Sequence, residues 1–333
     1  MSRPRYRGAI LAAGGGARMY PFSERCPKPL LPVCNKPMIL HQIEFMASVG
    51  IHEVVVLIGH KGFEISKVLG DGSGFGVDIR YIEQKQTLGI GHAVGLLERE
   101  LGNDPFLLFL GDIYFVPDRF HRIFEVYENQ GGGAVLATRE EENADAIRLN
   151  FAIVQSSDGR VTRVIEKPRH TPNRLKGVGI YLFDPAIFDA IRRTPRTALR
   201  DEYELTDAIQ VMIDDGHPVR PANVIAEDIN LTAPTDLLRA NIVHAARCVP
   251  GAAMGANLLL HPQARVRNSI IGAGSEIVKP IEVANSLVFA GTRVESGVSL
   301  DRAIVTPHGL FDCRPFLELS ELAVGTGPGT HAT

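Results

Sequence analysis

The stretch from Ile10 to Val33 reads Ile-Leu-Ala-Ala-Gly-Gly-Gly-Ala-Arg-Met-Tyr-Pro-Phe-Ser-Glu-Arg-Cys-Pro-Lys-Pro-Leu-Leu-Pro-Val. An apolar run that we predict to be a strand, Ala9 to Ala13, leads into three successive glycines. Because glycine has no Cβ, backbone N–H groups in such a turn can approach an anion closely. Arg18 and Lys28 follow on an irregular segment and add positive charge. The stretch therefore predicts a binding site for a polyanion, with a nucleoside triphosphate as the foremost candidate.

The spacing of this stretch excludes two common phosphate-binding loops. A P-loop has Lys followed by Ser or Thr directly after its last glycine, where this chain has Ala17 and Arg18. The dinucleotide fingerprint has a further glycine three positions beyond Gly16, where Met19 stands. A flexible surface turn is the simpler alternative, but it requires a strand, three glycines and two cations to coincide by chance.

What remains resembles the signature of the sugar-1-phosphate nucleotidyltransferases, Leu-Ala-Gly-Gly-x-Gly-Thr-Arg-Leu followed by Pro-Lys-x-Leu-x-Pro-Val. The match continues through residues 35–38, and the resemblance covers about residues 8–245. Among members of the family, the chain is most similar to the long-form glucose-1-phosphate thymidylyltransferases. The resemblance implies that Arg18 and Lys28 bind the triphosphate and the departing pyrophosphate. It implies nucleotide contacts for Leu11, Ala13, Gly14, Gly15, Gly16, Gln84 and Gly89.

Composition narrows the range of partners and locations. The 333 residues carry a formal net charge of −3, and no run of Lys or Arg suggests a nucleic-acid-binding face. The four cysteines show no CxxC pair, which favours a reducing compartment over a disulfide scaffold or a zinc site. No apolar run reaches transmembrane length, and the N-terminal pattern is too short for a signal peptide. We therefore expect a cytoplasmic protein with no membrane or nucleic-acid partner.

The first two thirds of the chain alternate between strand and helix patterns. Val54–Ile58 and Phe106–Leu110 are continuous apolar runs, as expected for parallel strands buried on both faces. The alternation predicts a Rossmann-like open mixed α/β sheet, a nucleotidyltransferase domain over residues 1–245. Ligands in such sheets bind beyond the carboxyl ends of the strands, where Gly14 and Asp112 both fall. Helices are predicted over residues 37–49, 62–69, 91–101 and 117–128.

From about residue 257 the pattern changes to a repeat. The segment from Asn268 to Ile277 is echoed from Asn285 to Val294, an offset of 17 residues. This spacing resembles the hexapeptide repeat of left-handed β-helices, which we predict for residues 257–307, with a loose run of short strands as the alternative. Residues 308–333 are predicted to form a partly disordered tail. Aliphatic side chains recur every sixth position, with one slip, at Ile271, Ile277, Val283, Val288, Val294 and Leu300.

Gln84 is the candidate for contact with a nucleobase. It stands at the end of a predicted strand, and Gly89 opens the next predicted helix. A glutamine amide presents a donor and an acceptor side by side, which suits the imide or amide edge of a base. Surface glutamines are common, so the signal is weak alone. The resemblance implies that this glutamine reads the base and that the glycine lets the base lie against the backbone.

Asp112 and Asn230 are the candidate metal ligands. Asp112 directly follows a buried strand and is well placed to hold a hydrated Mg²⁺, although it could instead cap a following helix. The resemblance places a second metal-binding aspartate at position 230, where this chain has Asn230. An amide carbonyl can still bind Mg²⁺, and uridylyltransferases of this fold use one. Asp228 is an alternative ligand, and the sequence leaves this choice open.

Glu166 and Lys167 are the candidate contacts of the sugar phosphate. They stand next to each other on a predicted extended segment, so their side chains should point to opposite faces. A surface ion pair is the simpler interpretation. The resemblance implies that Glu166 binds the sugar hydroxyls and Lys167 the sugar phosphate, with Ala152 and Gly179 in the sugar pocket. Ala152 stands where the family has glycine, so its methyl group could crowd the sugar.

These predictions describe an enzyme that transfers a nucleotidyl group from a nucleoside triphosphate to a sugar-1-phosphate. The first candidate pair is dTTP and glucose-1-phosphate, with Mg²⁺ as cofactor. The alternatives are a uridylyl- or guanylyltransferase acting on another sugar or cyclitol phosphate, and a regulatory subunit that binds without turnover. An acyltransferase built on the repeat has too few coils. The repeat is expected to pack subunits of a homo-oligomer or to close an edge of the larger domain.

Overall fold

The computed structural model describes residues 5–171, 173–198, 200–248 and 252–322. From residue 323 onward, the tail predicted for residues 308–333 lies outside the described residues. The helices are α1 (Phe22–Arg25), α2 (Met38–Ser48), α3 (Gly62–Leu69), α4 (Ile90–Gly95), α5 (Glu98–Leu101), α6 (Arg122–Gln130), α7 (Ala144–Arg148), α8 (Ala186–Arg193), α9 (Leu205–Asp214) and α10 (Pro234–Cys248). Short 3₁₀ turns lie at Ala17–Met19, Lys28–Leu30, Ser73–Phe75 and Leu319–Leu322.

The strands range from two to nine residues in length. They are β1 (Arg7–Ala12), β2 (Pro32–Val33), β3 (Lys36–Pro37), β4 (Glu53–Ile58), β5 (Asp78–Glu83), β6 (Phe106–Leu110), β7 (Ile113–Pro117), β8 (Ala134–Glu140), β9 (Phe151–Gln155), β10 (Val161–Glu166), β11 (Leu175–Phe183), β12 (Val219–Asn223), β13 (Ile225–Asn230), β14 (Ala252–Met254), β15 (Leu259–Leu260), β16 (Arg265–Arg267), β17 (Ser269–Ile271), β18 (Glu276–Ile277), β19 (Glu282–Ala284), β20 (Leu287–Val288), β21 (Arg293–Val294), β22 (Leu300–Asp301), β23 (Ala303–Thr306) and β24 (Gly309–Asp312).

The chain divides into two compact units. The first consists of Met1–Gly15, Pro27–Pro29 and Ile39–Asp228, and the second of Gly16–Cys26, Leu30–Met38 and Ile229–Thr333. None of the helices in the described ranges is both long and apolar enough to cross a lipid bilayer.

A mixed nine-stranded sheet forms the centre of the first unit. Its main path runs β10-β9-β11-β6-β1-β4-β5, with β8 paired to β11 and β12 paired to β8. Strands β6, β1, β4 and β5 are parallel, whereas β11 runs antiparallel to β6. The parallel strands are buried along most of their length because helices cover both faces, as the continuous apolar runs predicted. The predicted α/β fold class is confirmed.

The helix predictions for this unit succeed unevenly. Helix α3 has the predicted bounds, and α2 ends two residues before Gly50, whose φ is +84°. The helix predicted over residues 91–101 is instead two short helices, α4 and α5. The prediction over residues 117–128 is wrong at its start, because β7 occupies the first position and Arg119 has a left-handed φ of +45°. Such a backbone cannot continue a right-handed helix.

The second unit contains a stack of short parallel strands on three sides of a coil. The three stacks are β14-β17-β20-β23, β15-β18-β21 and β16-β19-β22. Ile270 pairs with Leu287, which pairs with Ile304, so successive coils follow at the predicted interval. The recurring aliphatics named above are all buried in one apolar cluster. This arrangement is that of a β-helix, as the repeat predicted.

A ladder of polar side chains at one corner of the coil explains the one-residue slip in the repeat. Asn268 and Asn285 occupy equivalent corners with φ of +45° and +48°. Nδ2 of Asn268 donates to Oδ1 of Asn285 over 2.9 Å, and Nδ2 of Asn285 donates to Asp301 over 2.8 Å. Asparagine tolerates this left-handed backbone better than most residues. The corner therefore uses one residue fewer while its polar groups stay hydrogen-bonded from coil to coil.

Two further features complete the second unit. Strand β24 pairs with β23 in the antiparallel direction, at the edge of the stack that otherwise runs parallel. The buried side chain of Asn241 on α10 holds the end of the signature stretch: its Oδ1 accepts from the Cys34 N–H over 2.8 Å, and its Nδ2 donates to the Pro32 carbonyl over 2.8 Å. The asparagine that ends the Asp-Leu-Leu-x-Ala-Asn motif therefore has a structural task.

Substitution of Ile277 by alanine should destabilise the coil, because this side chain is 1% exposed inside the apolar cluster. We expect a loss of about 2–5 kcal/mol in the free energy of unfolding, measured by denaturant titration of the full chain. The matched control is Leu259→Ala on β15, whose side chain is 67% exposed, with an expected change within about 0.5 kcal/mol. Equal losses in the two variants would contradict the assigned interior.

Candidate active site

A cleft of about 280 Å³ opens in the first unit, at the carboxyl ends of β1, β5 and β6. This is the edge where an open α/β sheet binds its ligands. Segments from six parts of the first unit meet there, including the residue pair after β10 and the segment before α9. The lining residues are Leu11, Ala12, Ala13, Gly14, Lys28, Pro29, Gln84, Thr87, Gly89, Ile90, Ala93, Leu110, Gly111, Asp112, Glu166, Lys167, Arg200, Glu202 and Glu204.

The ends of β1 and β6 approach each other closely at the floor of the cleft. The Gly111 N–H donates to the Leu11 carbonyl over 2.9 Å, and a Cβ on Gly111 would lie 2.5 Å from that oxygen. Beneath the turn, Nε2 of the buried Gln42 donates to the carbonyls of Leu110 and Ile113, both over 2.9 Å. The position of Asp112 between these two residues is thus held by backbone hydrogen bonds on either side. A strand, β7, follows Asp112, so the alternative of a helix cap is wrong.

Lys28 and Asp112 form an ion pair in the wall of the cleft. Nζ of Lys28 lies 2.8 Å from Oδ2 of Asp112, and the lysine is 9% exposed. The aspartate side chain keeps 40% of its surface exposed. A buried lysine needs a charged partner, because an unpaired charge out of water is costly. The pair therefore presents a fixed cation and an accessible carboxylate side by side.

Gly14 and Gly15 present bare backbone to open space. A Cβ built on either residue would meet no other atom within 4 Å, and neither residue has a positive φ. Neither packing nor backbone conformation therefore requires glycine at these positions. Close approach of a ligand to the backbone is the physical use that this geometry allows.

Gln84 and Gly89 lie on one side of the cleft. Gln84 directly follows β5, is 7% exposed, and its N–H donates to the Ile58 carbonyl over 2.8 Å. Gly89 has a φ of +102°, and a Cβ there would lie 2.5 Å from the Tyr203 carbonyl oxygen. The Tyr203 N–H in turn donates to the Leu88 carbonyl over 2.8 Å. The segment before α9 therefore fixes the loop that carries Gly89.

Glu166 and Lys167 both line the cleft, and the expectation that they point to opposite faces is wrong. The reason is the backbone of Lys167, whose φ of +42° ends the extended alternation of β10. Its N–H donates to the Asn150 carbonyl over 2.8 Å, which holds this turn. Nζ of Lys167 lies 3.7 Å from Oε1 of Glu166 and remains about half exposed. Its ammonium group is thus available to an anion in the cleft.

Arg200 is a cation of the cleft that the sequence analysis missed. Its Nη1 lies 2.8 Å from Oε1 of Glu204 and 3.8 Å from Oε1 of Glu166. Its position two residues before the Glu-x-Glu-Leu-Thr-Asp motif, which the resemblance had already singled out, was the available signal. Burial raises the pKa of Glu166, and the negative charge of Glu204 raises it further. Lys167 and Arg200 oppose that shift without cancelling it.

Asp228 is not available as the alternative metal ligand. Nζ of Lys176 lies 2.6 Å from its Oδ1 and donates to its Oδ2 over 2.9 Å, and Arg139 lies 3.1 Å away. The side chains of Asp228 and Lys176 are 2% and 4% exposed, so the pair is buried. Removing either partner would leave a charge buried and unpaired, which costs several kcal/mol (about 3–5). Asp228 therefore serves the interior of the first unit.

The remaining predicted site residues lie outside the cleft lining. Arg18, exposed on a 3₁₀ turn, Gly16 and Asn230 belong to the second unit. Ala152 is fully buried on β9, paired with Ile165 and Lys176. Gly179 is buried on β11, where a Cβ would lie 2.3 Å from Ile113 and 2.5 Å from Leu110, so its lack of a side chain serves packing behind Asp112. Gly15 borders Gly14 without lining the cleft.

Comparisons with known proteins agree with this architecture. The family model described as nucleotidyl transferase matches residues 7–228. The nucleotidyltransferase Agl11 of low-salt glycan biosynthesis in Haloferax volcanii is 39% identical over 237 residues, covering 71% of this chain and 65% of Agl11. A glucose-1-phosphate thymidylyltransferase of Streptomyces antibioticus is 36% identical over 217 residues, covering 64% of this chain and 59% of that protein.

A solved structure gives the same result. A Bacillus anthracis protein, crystallised with sucrose as a candidate glucose-1-phosphate thymidylyltransferase, is 28% identical with a TM-score of 0.65. The likeness covers 73% of this chain and 96% of that one. The matched part of the chain spans less than two thirds of the length of the two curated relatives above. Since the family model covers more than half of the chain, the chain belongs to the nucleotidyl transferase family.

Proposed function

We propose that this protein transfers a nucleotidyl group from a nucleoside triphosphate to a sugar-1-phosphate, releasing pyrophosphate. The observation that carries the proposal is the meeting of Lys28, Asp112 and Lys167 with the bare backbone of Gly14 in one cleft. Two cations at separate positions suit a reaction that joins two phosphate esters. Residues 1–245 are proposed to carry the reaction and residues 257–307 the β-helix domain.

The cleft residues support the reaction by neutralising and aligning charge. A phosphate monoester is largely dianionic at neutral pH, with a second pKa of about 6, so its oxygen can attack the α-phosphorus without a general base. The obstacle is the repulsion between two polyanions. Lys28 and Arg18 are proposed to hold the triphosphate and the departing pyrophosphate. Lys167 is proposed to hold the sugar phosphate, with Arg200 as a second cation beside it.

Mg²⁺ is the proposed cofactor, and Asp112 is the residue of the cleft that would hold it. The described residues contain no cluster of three or more His, Cys, Asp or Glu of the kind that encloses a metal ion. This fits Mg²⁺, which is usually held by one or two carboxylates together with substrate phosphates and water. Asn230 is the second proposed ligand. When bound, the ion would add positive charge at the phosphate oxygens.

Thymine and uracil are both compatible with Gln84. The two bases share the same imide edge, and an amide presents a matching acceptor and donor. We propose dTTP with glucose-1-phosphate as the first substrate pair, supported by the glucose-1-phosphate thymidylyltransferase relative. The second candidate is uridylyl transfer, which the asparagine at position 230 favours.

The direct test combines purified protein and Mg²⁺ with a matrix of nucleoside triphosphates and sugar-1-phosphates, scored by pyrophosphate release. We expect release that depends on both substrates and is largest with dTTP or UTP. Binding of a nucleotide without release under any combination would instead support the regulatory subunit. Release with no need for a sugar phosphate would contradict the proposal.

Substituting either lysine should separate the two phosphate subsites. We expect Lys28→Ala and Lys167→Ala each to lower turnover by about a thousandfold, because each removes charge that stabilises the transition state. Lys28→Ala should also weaken binding of the triphosphate, whereas Lys167→Ala should weaken binding of the sugar phosphate. Turnover and titration calorimetry with each substrate provide the measurements.

The control for the lysine variants is Lys67→Ala, at an exposed position on α3 away from the cleft. It should leave turnover near that of the unmodified protein. Circular dichroism should show the same fold in all three variants. Near-normal rates in both cleft variants would reject the roles given to these residues.

Glu166→Gln should stabilise the fold at neutral and alkaline pH while lowering activity. The pKa of Glu166 is raised in the folded state, chiefly by burial, so the folded protein holds this proton more tightly than the unfolded chain does. Stability is therefore lost as the pH rises from the unfolded value of about 4.3 through the folded value. The glutamine variant avoids that loss, so its advantage in melting temperature should be present at pH 8 and absent near pH 4.

The control for this comparison is Glu83→Gln at the exposed end of β5. It should show no pH-dependent difference in melting temperature. An advantage of Glu166→Gln that is the same at pH 4 and pH 8 would contradict the assignment of the effect to ionisation.

A further inference from the structure

His92 lies behind the proposed base-contacting residue and does not line the cleft. Nδ1 of His92, on α4, is 3.2 Å from Nε2 of Gln84. Gln84 itself lines the cleft and is 7% exposed. The polar end of this glutamine is therefore held from the side away from the cleft.

The position of His92 is itself fixed by the segment before α9. The Gly91 N–H donates to the Tyr203 carbonyl over 2.8 Å, and a Cβ on Gly91 would lie 2.9 Å from that oxygen. The rings of His92 and Tyr203 lie nearly parallel, with centroids 6.4 Å apart. Backbone hydrogen bonds fix the other end of the pair, since Gln84 is anchored to Ile58. Neither partner can move far without breaking these contacts.

We propose that His92 is a positioning residue that selects the base by fixing the orientation of the Gln84 amide. Nδ1 of the neutral imidazole accepts a hydrogen bond from Nε2 of the amide. The amide then keeps its oxygen and its second N–H in fixed places. The inference rests on the proposed function, because it takes Gln84 as the residue that contacts the base.

The selected bases follow from the hydrogen-bonding patterns of the pyrimidines. Uracil and thymine carry an N–H donor at N3 beside a carbonyl at C4, which matches an amide oxygen beside an amide N–H. Cytosine carries an acceptor at N3 beside an amino group, so it requires the amide turned by 180°. In the turned form, the amide oxygen would face the Nδ1 lone pair of His92 and lose that hydrogen bond. His92 thus favours imide bases over cytosine.

Two nucleotide pairs isolate this effect. UTP and CTP differ only at the N3 and C4 edge, and dTTP differs from 5-methyl-dCTP in the same way. The quantity measured is the ratio of kcat/KM within each pair, with a fixed sugar-1-phosphate. Changes that affect the triphosphate, the sugar or the fold cancel in this ratio.

The variants His92→Leu and His92→Asn form a matched test, because leucine and asparagine have the same branched shape. A hydrogen bond of this kind contributes about 0.5–1.5 kcal/mol, so we expect His92→Leu to reduce the preference for the imide base by about three- to tenfold. Oδ1 of asparagine can take the place of Nδ1, so His92→Asn should retain most of the preference. His121→Leu, at an exposed position ahead of α6, should leave the ratio unchanged.

The outcomes separate this inference from the proposed function. No pyrophosphate release with any triphosphate would reject the proposed function. Release with an unchanged ratio in His92→Leu, or with equal ratios in the leucine and asparagine variants, would overturn the inference alone. A protein that already accepts CTP as well as UTP would overturn it too.

Discussion

The close contact between the ends of β1 and β6 is the constraint on which the cleft depends. It is possible only because Gly111 has no side chain facing the Leu11 carbonyl. The contact places the glycine turn after β1 next to the aspartate after β6, and Gln42 supports the turn from below. With Asp112 held in this way, Lys28 can lie against it although the lysine is almost fully buried. The local charge arrangement is therefore a consequence of backbone packing.

Charges on the cleft wall are close to balance. Lys28 is paired with Asp112, and Arg200 lies between Glu204 and Glu166, so each buried cation already has a carboxylate neighbour. Such pairing lowers the cost of holding charges out of water in the empty protein. Anionic substrates would then compete with these carboxylates for the same cations. The raised pKa of Glu166 shows that burial outweighs its cationic neighbours.

Much of the fold could be predicted because local patterns determine it. Continuous apolar runs marked the parallel strands, and the repeated aliphatics marked the coils with Ile277 and Val294 in register. The site was harder to predict where tertiary contacts override local preference. The left-handed backbone of Lys167 turns its side chain into the cleft, which an extended pattern cannot reveal. Arg200 and the buried pairing of Asp228 with Lys176 depend on residues far apart in the chain.

The reversed direction of β24 has a consequence for assembly. A parallel coil exposes at each end a row of unsatisfied N–H and C=O groups, on which another coil of the same kind could be added. On β23 that row is already occupied by the antiparallel β24, from Gly309 opposite Thr306 to Asp312 opposite Ala303. A neighbouring copy therefore cannot extend this face by continuing the winding. The strand acts as a terminator that keeps a potentially polymerising structure finite.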